Sequence, residues 1–151
     1  MVVTQNEYAT EAGYSILKKG GNAVDAAVAV GFALAVTLPR AGNIGGGGFI
    51  LIYNEKKGKV FSIDYRSAAP KSSTSDLFLN GDKVVRFGHL VNAVPGSVAG
   101  LLKAHDDHGT LPISELLQPA IRLAREGFEV SYDLNFVLDW GRESMVVNEA
   151  S

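Results

Sequence analysis

The segment that most limits how this chain can fold is residues 23–36, AVDAAVAVGFALAV. It has the length of a helix, and its apolar side chains fall on every side of a helical wheel instead of on one stripe. A helix of that kind is buried on most of its faces, and its many alanines allow close packing. The rest of the chain must therefore wrap around it. Its ends are marked. Asn22 supplies an N-cap oxygen, and Asp25 stands three residues on, at the positive end of the helix. Pro39 cannot continue the helix and stops it.

Upstream, Tyr8, Ala12, Ile16 and Leu17 recur near helical spacing. Thr10 is the expected cap of that helix. Gly20-Gly21 ends it after Lys18 and Lys19, cations well placed for a C-terminus. Val2-Val3 reads as a short strand. Downstream, residues 49–53 (FILIY) form a continuous apolar run of strand length, and residues 60–65 (VFSIDY) alternate. Residues 54–59 between them carry turn residues and Gly58, so the pair reads as an antiparallel hairpin. Pairing Tyr53 with Val60 pairs Phe49 with Asp64 and puts Arg66 opposite Gly47. Paired strands lie roughly 4.8 Å apart. The hairpin alone thus brings Arg66 beside the glycine run at residues 45–48. A one-residue slip would turn its side chain to the other face.

The remaining chain reads as a loop over 68–76 and a short extended piece around the Asn80-Gly81 turn. A break follows at Val94-Pro95-Gly96, with Ser97 as a cap and a helix over 98–107 closed by Gly109. A second helix spans 114–127, where Leu116, Leu117, Ala120, Ile121 and Ala124 repeat at helical spacing. Pro119 splits that helix or sits in a first turn. A last helix covers 131–140. The order is helices, hairpin, helices, an α+β arrangement in which the buried helix covers one face of a sheet. The strands are too few for a complete sheet, so residues 1–151 are expected to form a single partial domain of a larger unit.

Composition narrows the function classes. Hydrophobic residues make up 46%, charged residues 20%, and the net charge is −2, which leaves no electrostatic footprint for nucleic acid or an anionic membrane. Lys56, Lys57 and Lys59 cluster in the hairpin turn and face water. There is no cysteine, which excludes disulfides, a thiol nucleophile and cysteine-ligated metals. The most apolar run, 26–38, is shorter than the 20 or so residues of a membrane span. Met1 runs straight into the first motif, so no signal peptide is expected in this sequence. A cytoplasmic location is compatible with that, and the compartment stays open.

Few residues offer chemistry. Gly42 and the four glycines at 45–48 are either a wall where backbone approaches a ligand, or a place of close packing against the alanine-rich helix or of sharp entry into a strand. They are not a nucleotide motif, because the G-x-G-x-x-G spacing is missing and Gly48 stands where a P-loop has lysine. They also open a strand, so no helix dipole is aimed at a phosphate. Arg66 ends a strand among apolar neighbours and needs an anionic partner. That partner is a bound carboxylate, which its planar fork suits, or a structural ion pair with Asp64 or Asp25. His89, His105 and His108 have no metal-ligand pattern; His105 and His108 fit a solvated helix end beside Asp106 and Asp107. Ser97 is no nucleophile elbow, since Pro95 occupies the first glycine position of G-x-S-x-G. With no nucleophile–base pair in the sequence, no catalytic residue, metal or cofactor is assigned.

Longer phrases carry a resemblance. Residues 1–49, from MVVTQNEYATEAG through LKKGGNAVDAAVAV to AGNIGGGGF, resemble the start of the large subunit of γ-glutamyltranspeptidases. IDYRSAAP, VPGSVAG and LLQPAIRLAREGFEVS follow in that family's order and spacing. The resemblance implies the N-terminal-nucleophile hydrolase fold, an αββα sandwich of which this chain is an incomplete part. It implies a precursor that cleaves itself, a small-subunit threonine as nucleophile, and transfer of a γ-glutamyl group from donors such as glutathione to water, amino acids or peptides. No metal or cofactor is implied. The implied partners are the remaining large subunit and the small subunit. Arg66 matches the family's arginine for the glutamyl α-carboxylate. Ser67 stands where the family usually has glutamate, which puts support of the arginine and substrate preference in question. Ser97 replaces a usual threonine. The nucleophile lies outside this chain, so the chain alone is expected to be silent. The competing expectations are a related glutaryl or cephalosporin-type acylase and a non-catalytic paralogue.

Overall fold

The structure, a computed structural model, describes residues 1–41, 43–80, 83–84, 88 and 91–145. In chain order these form α1 (Glu7–Lys18), α2 (Ala23–Thr37), β1 (Phe49–Asn54), β2 (Lys59–Asp64), β3 (Leu79–Asn80), β4 (Lys83–Val84), α3 (Ser97–His108), α4 (Ile113–Glu126) and α5 (Tyr132–Met145). Gly42 and His89 lie outside the described residues.

The all-apolar helix is the hub. Val28, Ala29 and Ala33 of α2 are fully buried, and α1, α3 and α4 all pack on it. The main core joins Ile16, Val28, Ala29, Leu101, Ala104 and Leu116, with Ile50, Ile52 and Ile63 of the hairpin laid against it. The helix is built from its start. Asn22 Oδ1 accepts the amides of Val24 and Asp25 at 2.7 and 2.9 Å, and Asp25 Oδ2 accepts the Asn22 amide at 2.9 Å. This reciprocal capping box satisfies donors that a helix start otherwise leaves open.

The helix before it ends as expected and starts elsewhere. The Gly20 amide bonds Leu17 O at 3.0 Å and the Gly21 amide bonds Ile16 O at 3.1 Å. This paired closure needs a left-handed residue, and Gly20 has φ 91°. At the other end Asn6, not Thr10, is the cap; its Oδ1 accepts from the Ala9 amide at 3.2 Å. Thr10 already lies inside the helix and turns its hydroxyl back to Asn6 O. Val2-Val3 is not a strand. No strand among the described residues runs beside it, and Val2 instead lies close to Gly13 of α1.

β1 and β2 pair in the expected register, Tyr53 with Val60 and Phe49 with Asp64. Gly58 takes the left-handed φ of 59° that the turn requires. Pro119 neither splits α4 nor sits in its first turn. Buried Leu116 and Ala120 on either side hold the helix through the missing hydrogen bond. α5 runs past residue 140 to Met145.

The apolar run FILIY has two apolar faces, and the chain covers one. Ile50 and Ile52 turn to the core, whereas Phe49, Leu51 and Tyr53 stay 66%, 77% and 67% exposed. Val60 on β2 adds to that face at 65%. The isolated chain is therefore expected to raise the fluorescence of a hydrophobic dye. A Leu51→Ser, Tyr53→Ser double variant is expected to bind less dye. Equal dye signals would show that this face is not the exposed apolar surface.

Candidate carboxylate-binding site

The site begins where β2 ends. Tyr65 and Gly48 exchange amide–carbonyl bonds of 3.0 and 3.4 Å, extending the ladder by one pair. The next pair is Arg66 opposite Gly47, as the register dictates. Arg66 is exposed, and its amide donates to the Asp64 carboxylate at 2.9 Å. Asp64 thus holds the backbone of Arg66. Among the described residues no carboxylate forms an ion pair with its guanidinium.

Asp25, the other expected partner, is occupied elsewhere. It is fully buried and accepts the Thr110 amide at 2.9 Å, the Thr110 hydroxyl, and the Asn22 amide at 2.9 Å. A longer contact comes from the Leu111 amide at 3.4 Å. Burial pushes its carboxyl pKa up; the Thr110 hydroxyl and amide, then the amides of Asn22 and Leu111, outweigh burial and bring it below the usual value. This cluster ties the start of α2 to the α3–α4 turn. Neither structural ion pair expected for Arg66 forms.

The glycine run is a packing device with a particular neighbour. Gly46 O accepts the amides of Gly96 and Ser97 at 2.9 and 3.1 Å. It thereby caps the start of α3, the task expected of Ser97. The Ser97 hydroxyl instead donates to Asn43 O at 3.0 Å, and Asn43 Nδ2 donates to Pro39 O at 2.7 Å. A β-carbon on Gly47 would meet the Ser67 amide and stand 2.5 Å from Tyr65 O and 2.9 Å from Arg66 C. The loop therefore packs against the end of β2 and the start of α3 more than against α2. Tyr65 completes the junction, its ring pressed on Gly100 of α3, and burial pushes its hydroxyl pKa up. An apolar cleft of about 170 Å³ opens between Phe32, Ile44, Tyr65 and Leu101. Arg66 does not line it.

The histidines are structural in different ways. His105 is not solvated: its side chain is 16% exposed, and Nε2 lies 2.7 Å from Leu111 O. The α3–α4 turn folds back over the helix end and covers it. The His108 ring packs at 4.9 Å from that of Phe61. Among the described residues no group of three His, Asp or Glu could hold a metal, and no helix is long and apolar enough to cross a membrane. Reading the sequence missed Thr110 and the second role of Gly96. Thr110 carries no signal of its own, and Gly96 looked only like part of a break.

An all-apolar helix under an antiparallel hairpin, with an arginine leaving the strand end, is one part of the N-terminal-nucleophile hydrolase fold, and solved structures of that fold superpose on this chain. The chain belongs to the γ-glutamyltranspeptidase family, whose sequence model matches residues 9–150. The glutathione hydrolase proenzyme of Escherichia coli is 51% identical over 136 residues, which is 87% of this chain and 23% of that relative. The Helicobacter pylori γ-glutamyltranspeptidase superposes with a TM-score of 0.94 at 39% identity, over 99% of this chain and 44% of that one. A cephalosporin acylase from Bacillus halodurans superposes with a TM-score of 0.80 at 32% identity, over 90% of this chain and 26% of its own. The chain spans about a quarter of the length of the curated relatives it matches.

Proposed function

We propose that this chain is the N-terminal part of the large subunit of a γ-glutamyltransferase/glutathione hydrolase. In this reading Arg66 holds the α-carboxylate of the γ-glutamyl donor. The observation that carries it is Arg66 itself. Its side chain is exposed at the end of an ordered strand, its backbone is tied down on both sides, and no described carboxylate pairs with its guanidinium. An exposed guanidinium carried on a held backbone suits a ligand carboxylate, two N–H groups to two oxygens. The relatives' names, glutathione hydrolase proenzyme, support γ-glutamyl substrates and a precursor that matures by cleavage.

The chemistry is then divided. A threonine at the new N-terminus of the small subunit attacks the γ-carbonyl carbon, and its own α-amine takes the hydroxyl proton. The C–N bond breaks, the amine leaves with that proton, and the acyl group passes to water, an amino acid or a peptide. Arg66 does not touch the reacting atoms. It binds the donor, so its contribution enters chiefly through KM. We place the nucleophile outside residues 1–151, so the chain alone is inactive. The higher identity and TM-score of the γ-glutamyltranspeptidases, compared with the acylase, favour the γ-glutamyl reading.

The test compares a γ-glutamyl anilide with a glutaryl anilide, using the complete mature protein and the isolated chain. Faster turnover of the γ-glutamyl anilide by the mature protein, and none by the isolated chain, is expected. Preference for the glutaryl anilide would move the protein to the acylases, and no turnover of either would make it a non-catalytic paralogue. Turnover by the isolated chain would overturn the placement of the nucleophile.

A further inference from the structure

The peptide of Arg66 is held between two glycines from distant parts of the chain. On one side lies Gly47, whose added β-carbon would meet the Ser67 amide and press on Tyr65 O and Arg66 C. On the other lies Gly96. A β-carbon there would run into Tyr65 O, stand 2.8 Å from Tyr65 C and 3.3 Å from Arg66 O. Neither glycine has a positive φ, so turn geometry does not explain them. The atoms that exclude a side chain are backbone atoms of residues 65–67, which cannot swing aside as a flexible side chain can. The two glycines are also bonded to each other's segments, through the Gly96 and Ser97 amides on Gly46 O. The Ser97 hydroxyl on Asn43 O fastens the foot of the loop, and Asp64 holds the Arg66 amide.

We infer that Gly47 and Gly96 are positioning residues for Arg66, clamping its backbone so that the guanidinium meets the donor carboxylate at a fixed place. The inference rests on the reading of Arg66 as the carboxylate contact. A shift of the Arg66 backbone moves the origin from which its side chain reaches the donor, and a compensating side-chain conformation departs from the best geometry of the contact. A bidentate contact tolerates only a fraction of an ångström of error, and a misplacement near 1 Å can cost about a hundredfold. Deleting either glycine's clearance therefore acts on donor binding more than on the chemical step.

The test uses the complete mature enzyme and reads KM and kcat separately for a γ-glutamyl anilide. Gly47→Ala and Gly96→Ala are each expected to raise KM about tenfold or more while kcat stays within about threefold. A merely structural defect would lower kcat through loss of folded enzyme and leave KM unchanged. The same substitutions are then made in an Arg66→Gln background, where acting through Arg66 predicts that their KM effect disappears. Should neither glycine variant yield folded enzyme, Ser97→Ala decides, because it loosens the loop without adding atoms; about a threefold or larger rise in KM is expected. Unchanged KM in the folded variants, or effects that persist fully without Arg66, would overturn the inference alone. If Arg66→Gln by itself leaves KM unchanged, the reading of Arg66 fails first, and the inference with it.

Discussion

Arg66→Gln in the complete enzyme is expected to raise the KM for a γ-glutamyl donor by roughly thirtyfold to several hundredfold, with kcat much less affected. The size follows from the contact. A charge-assisted bidentate pair that loses one partner costs on the order of 2–4 kcal/mol, and each 1.4 kcal/mol is tenfold in affinity. Glutamine keeps much of the length and a donor, so the variant removes the charge and the fork without opening a large void. The fold should tolerate it. The Arg66 side chain is exposed, and the bond that orders the strand end runs from its amide to Asp64, which the substitution leaves in place. A decarboxylated donor, a 4-aminobutyryl anilide, should bind wild type and variant alike. Michaelis–Menten constants for both donors settle the matter, and an unchanged KM for the γ-glutamyl donor removes Arg66 from the site.

Asp25→Ala is expected to destabilise the protein by about 3–5 kcal/mol, read as a clear fall in melting temperature. Buried groups left without a partner each cost about 1–3 kcal/mol. This substitution strips acceptors from the Thr110 hydroxyl and the amides of Thr110, Leu111 and Asn22 at once. It also removes half of the α2 capping box. The pH dependence has a definite sign. The carboxyl's folded pKa lies below its ordinary value, so its contribution is fully present above the ordinary aspartate range. It is lost as the pH falls through the lowered folded value. The gap in melting temperature between wild type and variant should therefore narrow on acidification. A gap that is absent at neutral pH, or that widens in acid, contradicts the role given to Asp25.

Much of this could be read from the chain before any coordinates. The segment at 23–36 was buried because it had no polar face to give to water, and it is the hub. Its capping box needed only Asn22 and Asp25 at their spacing. The hairpin followed from alternation on either side of a turn with Gly58, and its register carried Arg66 to Gly47. Expectations failed where neighbouring residues competed for one task, as at Thr10, or where a contact from another segment decided, as at Ser97 and His105. Thr10 and Ser97 are both sound caps by type, yet Asn6 and Gly46 O do the capping. His105 looked solvated until the α3–α4 turn covered it.

The sequence by itself therefore determined the main helices, most of their ends and the pairing of β1 with β2. Each depends on neighbours a few residues apart, or on a tight turn whose geometry sets the register. Only the tertiary structure decided what Arg66 and Asp25 are held by. Gly96 reaches the Arg66 peptide from the start of α3, and Thr110 reaches Asp25 from 85 residues away. Such contacts leave no periodicity in the sequence. They exist because packing around α2 brings the α3 segments back over the strand end, at distances where a backbone oxygen admits a hydrogen and not a methyl group.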